Sequence, residues 1–138
     1  MRAIKKPLTA VILTAAIVLG VAVPAHAYYY SNVWGELNGR GYVVNYNTLR
    51  AHDATTRARM RLDKVTAFNF RLWMRNEDNV TVSNRALFHT TGETTYWYST
   101  TGSTYIPKGY YKLSGQMMGE LQGSFDPSKI VWQGDITW

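Results

Sequence analysis

Strict two-residue alternation over two stretches commits this chain to extended strands. Residues 57–62 read Arg-Ala-Arg-Met-Arg-Leu, placing Ala58, Met60 and Leu62 on one side and Arg57, Arg59 and Arg61 on the other. Residues 67–75 repeat the pattern, with Phe68, Phe70, Leu72 and Met74 set against Asn69, Arg71, Trp73 and Arg75. A helix would scatter these residues around its axis. A period of two with one polar face marks antiparallel strands that bury the other face.

Further runs of strand character follow at 41–46, 80–82, 85–89, 94–100, 110–118 and 130–138. Polar connectors separate them, including Asn76-Glu77-Asp78-Asn79, Thr91-Gly92-Glu93 and Pro107-Lys108-Gly109, which carry turn chemistry. About seven short strands without an amphipathic helix predict an all-β fold, a small antiparallel β-sandwich. Uneven strand lengths and no repeated corner glycine favour the sandwich over a closed barrel. Residues 49–56 are expected to hold one helical turn at most. Tyr28-Tyr29-Tyr30 is expected as an exposed tail or an edge segment captured by the sheet, and Trp138, in phase with Trp132 and Ile136, as docked.

The start of the chain points to export. Arg2, Lys5 and Lys6 precede an apolar run over residues 8–23, then Pro24-Ala25-His26-Ala27. A basic n-region, an apolar h-region and small side chains at Ala25 and Ala27 make a signal peptide cleaved after Ala27. The rival is an uncleaved anchor, but a largely apolar run of 16 residues falls short of the roughly 20 that span a bilayer, and Pro24 breaks the helix. The expected division is a leader over 1–27 and one secreted, extracellular domain over 28–138.

That domain has 111 residues and no cysteine, so neither disulfides nor a lipidated N-terminus is available to it. Large aromatic side chains must supply much of its core. Three of the 15 basic residues lie in the leader, leaving 12 against 9 acids and a net charge of +3. Such a charge suits an anionic surface and equally suits plain solubility.

Catalytic material is sparse. His52 and His89 stand apart, with no cysteine and no paired-histidine spacing to build a zinc site. No Gly-x-Ser-x-Gly elbow occurs. Among the carboxylates, Glu120 and Asp135 alone fall where a glycosidase pair would be sought. The expectation is a protein that is not an enzyme and carries no cofactor. Asn76-Glu77-Asp78-Asn79 offers oxygen ligands for calcium and equally makes an ordinary hairpin loop.

Binding chemistry is richer. If the strands over 57–62 and 67–75 pair as a hairpin, Arg57, Arg59, Arg61, Arg71 and Arg75 share one surface with Trp73. Guanidinium groups interleaved with an indole grip anionic polymers by bidentate contacts and stacking. Five Trp and ten Tyr also exceed what a small core readily hides, so Trp97, Tyr96, Tyr98, Tyr110 and Tyr111 are further candidates for stacking on sugars. The expected partners are an anionic cell-wall polymer, a glycan or a membrane surface, rather than nucleic acid, which is a poor target outside the cell. In leader, length and strand pattern the chain resembles small exported bacterial β-sandwich proteins, without a motif that transfers a site. The expected function is surface binding at a bacterial cell envelope through a basic and aromatic face. The alternatives are a bacteriocin-like, membrane-active role and a carbohydrate-binding module.

Overall fold

The computed structural model describes residues 27–53, 57–65, 69–118 and 130–138. The leader proposed over 1–27 lies outside them except for its last residue, Ala27. Among the described residues nine strands form, in chain order: β1 (Tyr29–Leu37), β2 (Val44–Asn45), β3 (Arg50–His52), β4 (Arg59–Val65), β5 (Phe70–Arg75), β6 (Ala86–Phe88), β7 (Thr94–Tyr96), β8 (Gly109–Met117) and β9 (Ile130–Thr137). One sheet runs β1-β9-β4-β7, and the other runs β2-β8-β5-β6 with β3 also paired to β8. Every strand pairing is antiparallel. The fold is a small all-β sandwich.

Alternation decides which side of each strand enters the core. Met60 and Leu62 of β4 face Phe70, Leu72 and Met74 of β5 across the sandwich, and all five are fully buried. That opposition overturns the expected hairpin. The apolar sides of β4 and β5 pack face to face from different sheets, so the strands cannot also lie side by side.

Aromatic rings fill the space between the sheets. Contacts run from Tyr46 to Trp132, Phe70, Phe88, Trp97, Trp138, His52 and Tyr111, with successive centroids 5.3 to 6.5 Å apart. Edge and offset contacts of this kind add to the area the rings bury. Two of the three core indole nitrogens are also hydrogen-bonded. Trp97 Nε1 donates to the Leu72 carbonyl at 2.9 Å, and Trp132 Nε1 donates to the Tyr46 hydroxyl at 3.0 Å. Gly35 makes room for this packing, since a Cβ there would stand 2.6 Å from the Tyr46 ring and 2.8 Å from Trp132.

Two local expectations change. The helical turn expected over 49–56 is replaced at Arg50–His52 by β3, which pairs with Gly109–Tyr111 of β8. Its chain is pinned by Tyr30, which donates to the Ala51 carbonyl, and by His52, whose Nε2 bonds the Ile106 carbonyl. Residues 54–56 lie outside the described part. The run at 80–82 makes only an isolated bridge, Thr81 to Arg75, with Ser83 bridging to Ser99 just beyond it. Strand β1, by contrast, extends the tyrosine segment into a nine-residue edge strand.

Two bulges shape the outer face of the four-stranded sheet. In β1, Ser31 and Asn32 together oppose the single residue Asp135, and Asn32 takes φ 54°, a left-handed conformation that asparagine tolerates. The extra residue shifts the phase. Tyr29 points outward before it, while Trp34 and Glu36 alternate with buried Val33, Gly35 and Leu37 after it. In β4 the register slips between Leu62 and Lys64, which turns Lys64 outward and Val65 toward the core.

Candidate ligand-binding face

The basic residues expected together are divided between two sheets. Arg57, Arg59 and Arg61 belong to the outer side of the four-stranded sheet, whereas Arg71, Trp73 and Arg75 belong to β5 in the other. Nor do Trp73 and Arg75 form a wet face. Trp73 is buried with the Arg85 guanidinium 4.7 Å above its ring. Arg75 is buried among neutral oxygens, donating to Asn79 Oδ1 at 2.7 Å and to the carbonyls of Tyr46 and Leu113. Burial lowers its pKa from the usual guanidinium value. Arg71 is half-buried, paired across strands with Gln116 and Leu87.

Trp97 is a correction of the same kind. It sits in the core with no exposed surface and its indole nitrogen committed to Leu72, so it cannot stack on an outside ligand. Tyr111 is likewise buried, its hydroxyl donating to the Pro107 carbonyl at 2.6 Å. Tyr110 is exposed but stands on β8, away from the arginine stripe.

What the structure does bring together lies on β1, β9, β4 and β7. Register places Tyr29, Thr137, Arg59 and Tyr96 directly opposite one another in one row across the four strands. The adjoining row holds Asp135, Arg61 and Thr94. Together these side chains line an open depression of about 370 Å³. At one end the Arg57 guanidinium carbon lies over Tyr96, 4.2 Å from its ring centre, and the group donates to the Tyr98 hydroxyl at 2.9 Å. Stacking fixes the guanidinium in place before any ligand arrives.

Asp135 organises the floor. Its carboxylate accepts from the Tyr29 hydroxyl at 2.8 Å, the Asn32 backbone N–H at 3.0 Å and Arg61 at 3.2 Å. The Tyr29 bond above all, then Asn32 and Arg61, holds its pKa below the ordinary carboxylate value. The same bond raises the Tyr29 pKa. An aspartate held ionised in this way fixes structure and offers no proton near neutral pH. Arg61 also bonds Asp63, so its charge is shared between two carboxylates. Arg59 and Lys64 carry no ion pair among the described residues and remain open to an outside anion.

The remaining candidates have other duties. Asn76 Oδ1 caps its own loop at Val80, and Asn79 Oδ1 is taken by Arg75 and Lys112, so both amide oxygens already serve protein donors. His52 is buried against Tyr111 and Trp138. Glu120 lies outside the described residues. The residues missed from sequence are Tyr29, Thr137, Trp34 and Lys64. The tyrosine run carried a signal for the first, but the two bulges hid which neighbours share its face. The chain matches no family model, no curated protein and no solved structure.

Proposed function

We propose that this protein is a secreted, non-enzymatic β-sandwich that attaches to an anionic polymer of a bacterial cell envelope. Its contact surface is the outer side of the four-stranded sheet. The observation that carries this reading is the row Tyr29–Thr137–Arg59–Tyr96, in which a guanidinium with no ion pair among the described residues stands beside one phenol ring and, across Thr137, in line with a second. Arginine supplies a planar donor for carboxylate or phosphate, and the rings supply stacking area. Export is supported by the leader pattern and by the position of Ala27. It is exposed, and among the described residues the sheet's backbone bonds begin at the next one, where Tyr28 and Trp138 exchange N–H and carbonyl contacts at 2.8 and 2.9 Å.

The test is retention of the 28–138 domain on purified bacterial cell wall, with Arg59→Glu compared against Arg71→Glu. Both substitutions change net charge equally, but only Arg59 lies in the proposed surface. Loss of retention for Arg59→Glu with retention kept for Arg71→Glu supports the site. Equal losses would reduce the effect to net charge, and retention unchanged in both would refute the face. Binding to anionic lipid vesicles without binding to wall would instead favour the membrane-active role.

A further inference from the structure

The geometry points to a linear acidic glycan, bearing carboxylates on some of its sugar units, lying lengthwise along β9 and gripped at two separate subsites. This deepens the function proposed above and rests on it. The first subsite is the row around Arg59. The second is formed by Trp34 on β1, Gln133 on β9 and Lys64 on β4, which register sets directly opposite one another on the same outer face. Each row thus repeats one chemistry, an exposed aromatic ring at the β1 edge, a polar side chain on β9 and a cation on β4.

The repetition depends on the two bulges. Without the extra residue in β1, Trp34 would point into the core, and without the slip in β4, Lys64 would do so. Instead Trp34 keeps 64% of its surface exposed. One exposed indole is ordinary on a protein surface, but here register sets it on the same face as the Gln133 amide and the Lys64 ammonium, which has no ion pair among the described residues. Gln133 is preset as well, its amide donating to Asn32 Oδ1 at 2.8 Å.

Spacing and charge then select the ligand. Gln133 and Thr137 are four residues apart on β9, so the subsites lie about 13 Å apart at the usual strand rise. A single sugar cannot touch both. Between them Arg61 is bonded to two carboxylates, Asp63 and Asp135, so the middle of the face carries one net negative charge and the face presents cation, net anion and cation in sequence. That pattern complements a chain whose acidic units are separated by neutral ones. Ring faces at Tyr29 and Trp34 favour pyranose rings over a polyol-phosphate chain, which has none to stack.

Hyaluronan oligosaccharides, with glucuronate on alternate units, are a suitable probe in lengths of two, four, six and eight sugars, with neutral cello-oligosaccharides as the control. Calorimetric titration of the full 28–138 domain should show the acidic octasaccharide binding at least tenfold tighter than the disaccharide, because linked subsites act through effective concentration. Trp34→Ala combined with Lys64→Gln should bring the octasaccharide down to the disaccharide's affinity, and Arg59→Gln should weaken all lengths. These side chains are exposed, so folding is not at stake. Affinity independent of length, a length gain that survives the double substitution, or equal binding of neutral chains would overturn the two-subsite arrangement. No hyaluronan binding beside intact wall retention would reject this ligand class and leave the envelope-binding function standing. Loss of wall retention as well would reject both.

Discussion

Tyr29 donates its hydroxyl to Asp135 at 2.8 Å, closing the gap that the β1 bulge opens between the edge strand and β9. The bond joins a row of the candidate face to the carboxylate that also holds Asn32 and Arg61. Because these donors lower the folded-state pKa of Asp135, the stabilisation is complete above the unfolded value near 4 and fades as pH falls through the lower folded value. Asp135→Asn should therefore cost about 0.5–1 kcal/mol at pH 7, the scale of an exposed charged network. The deficit should shrink as pH drops below about 4. Urea unfolding at pH 7, 4 and 3 reads this directly, and a deficit that is the same at all three would show that the carboxylate charge is immaterial.

The architecture was largely legible because β5, β8, β9 and the part of β4 up to Leu62 alternate in sequence, and a two-residue period has few other solutions. The pairing of strands was not. Alternation says which side of β4 is apolar but not whether β5 lies beside it or across from it, so alternation alone cannot place the Arg71–Trp73–Arg75 side on its true surface. Arg75 and Trp73 look like a wet face in sequence because nothing local shows that Tyr46, Asn79 and Arg85 will cover them. Strand β1 stayed hidden for a different reason. Its phase changes at Ser31-Asn32, so no single alternation runs from Tyr29 to Leu37, and the outward pairing of Tyr29 with Trp34 appears only once the bulge is seen. The part of the candidate face that could be read in advance, Arg57, Arg59, Arg61 and Tyr96, lies on strands without such a break before Leu62.

Trp97 ties the two sheets together through its bond to the Leu72 carbonyl, so its substitution should register in stability rather than in binding. Trp97→Phe keeps most of the ring but strands that carbonyl in the core, a loss of about 1–3 kcal/mol. Trp97→Ala also opens a cavity, raising the loss to about 3–5 kcal/mol. Chemical denaturation of the two variants should rank them in that order, while folded Trp97→Phe should keep wild-type retention on cell wall. Reduced retention at full folding would return Trp97 to the binding surface.

His52 adds a pH dependence in a separate window. Burial lowers its pKa below the ordinary imidazole value, against smaller opposing pulls from the Ile106 carbonyl, Asp53 and the Trp138 backbone. The neutral ring, with Nε2 donating to Ile106 at 2.9 Å, is therefore the form the fold prefers. In the unfolded chain the same ring takes up a proton near pH 6.5. Its contribution is complete above that pH and is lost as pH falls toward the lower folded-state value, with a slope of at most about 1.4 kcal/mol per pH unit for one proton. His52→Gln retains an N–H donor for Ile106 and removes the titration. Between pH 7 and pH 5 the wild-type domain should lose stability to urea while His52→Gln holds nearly level, whatever its absolute stability. Parallel curves for the two proteins would assign the acid sensitivity to another group.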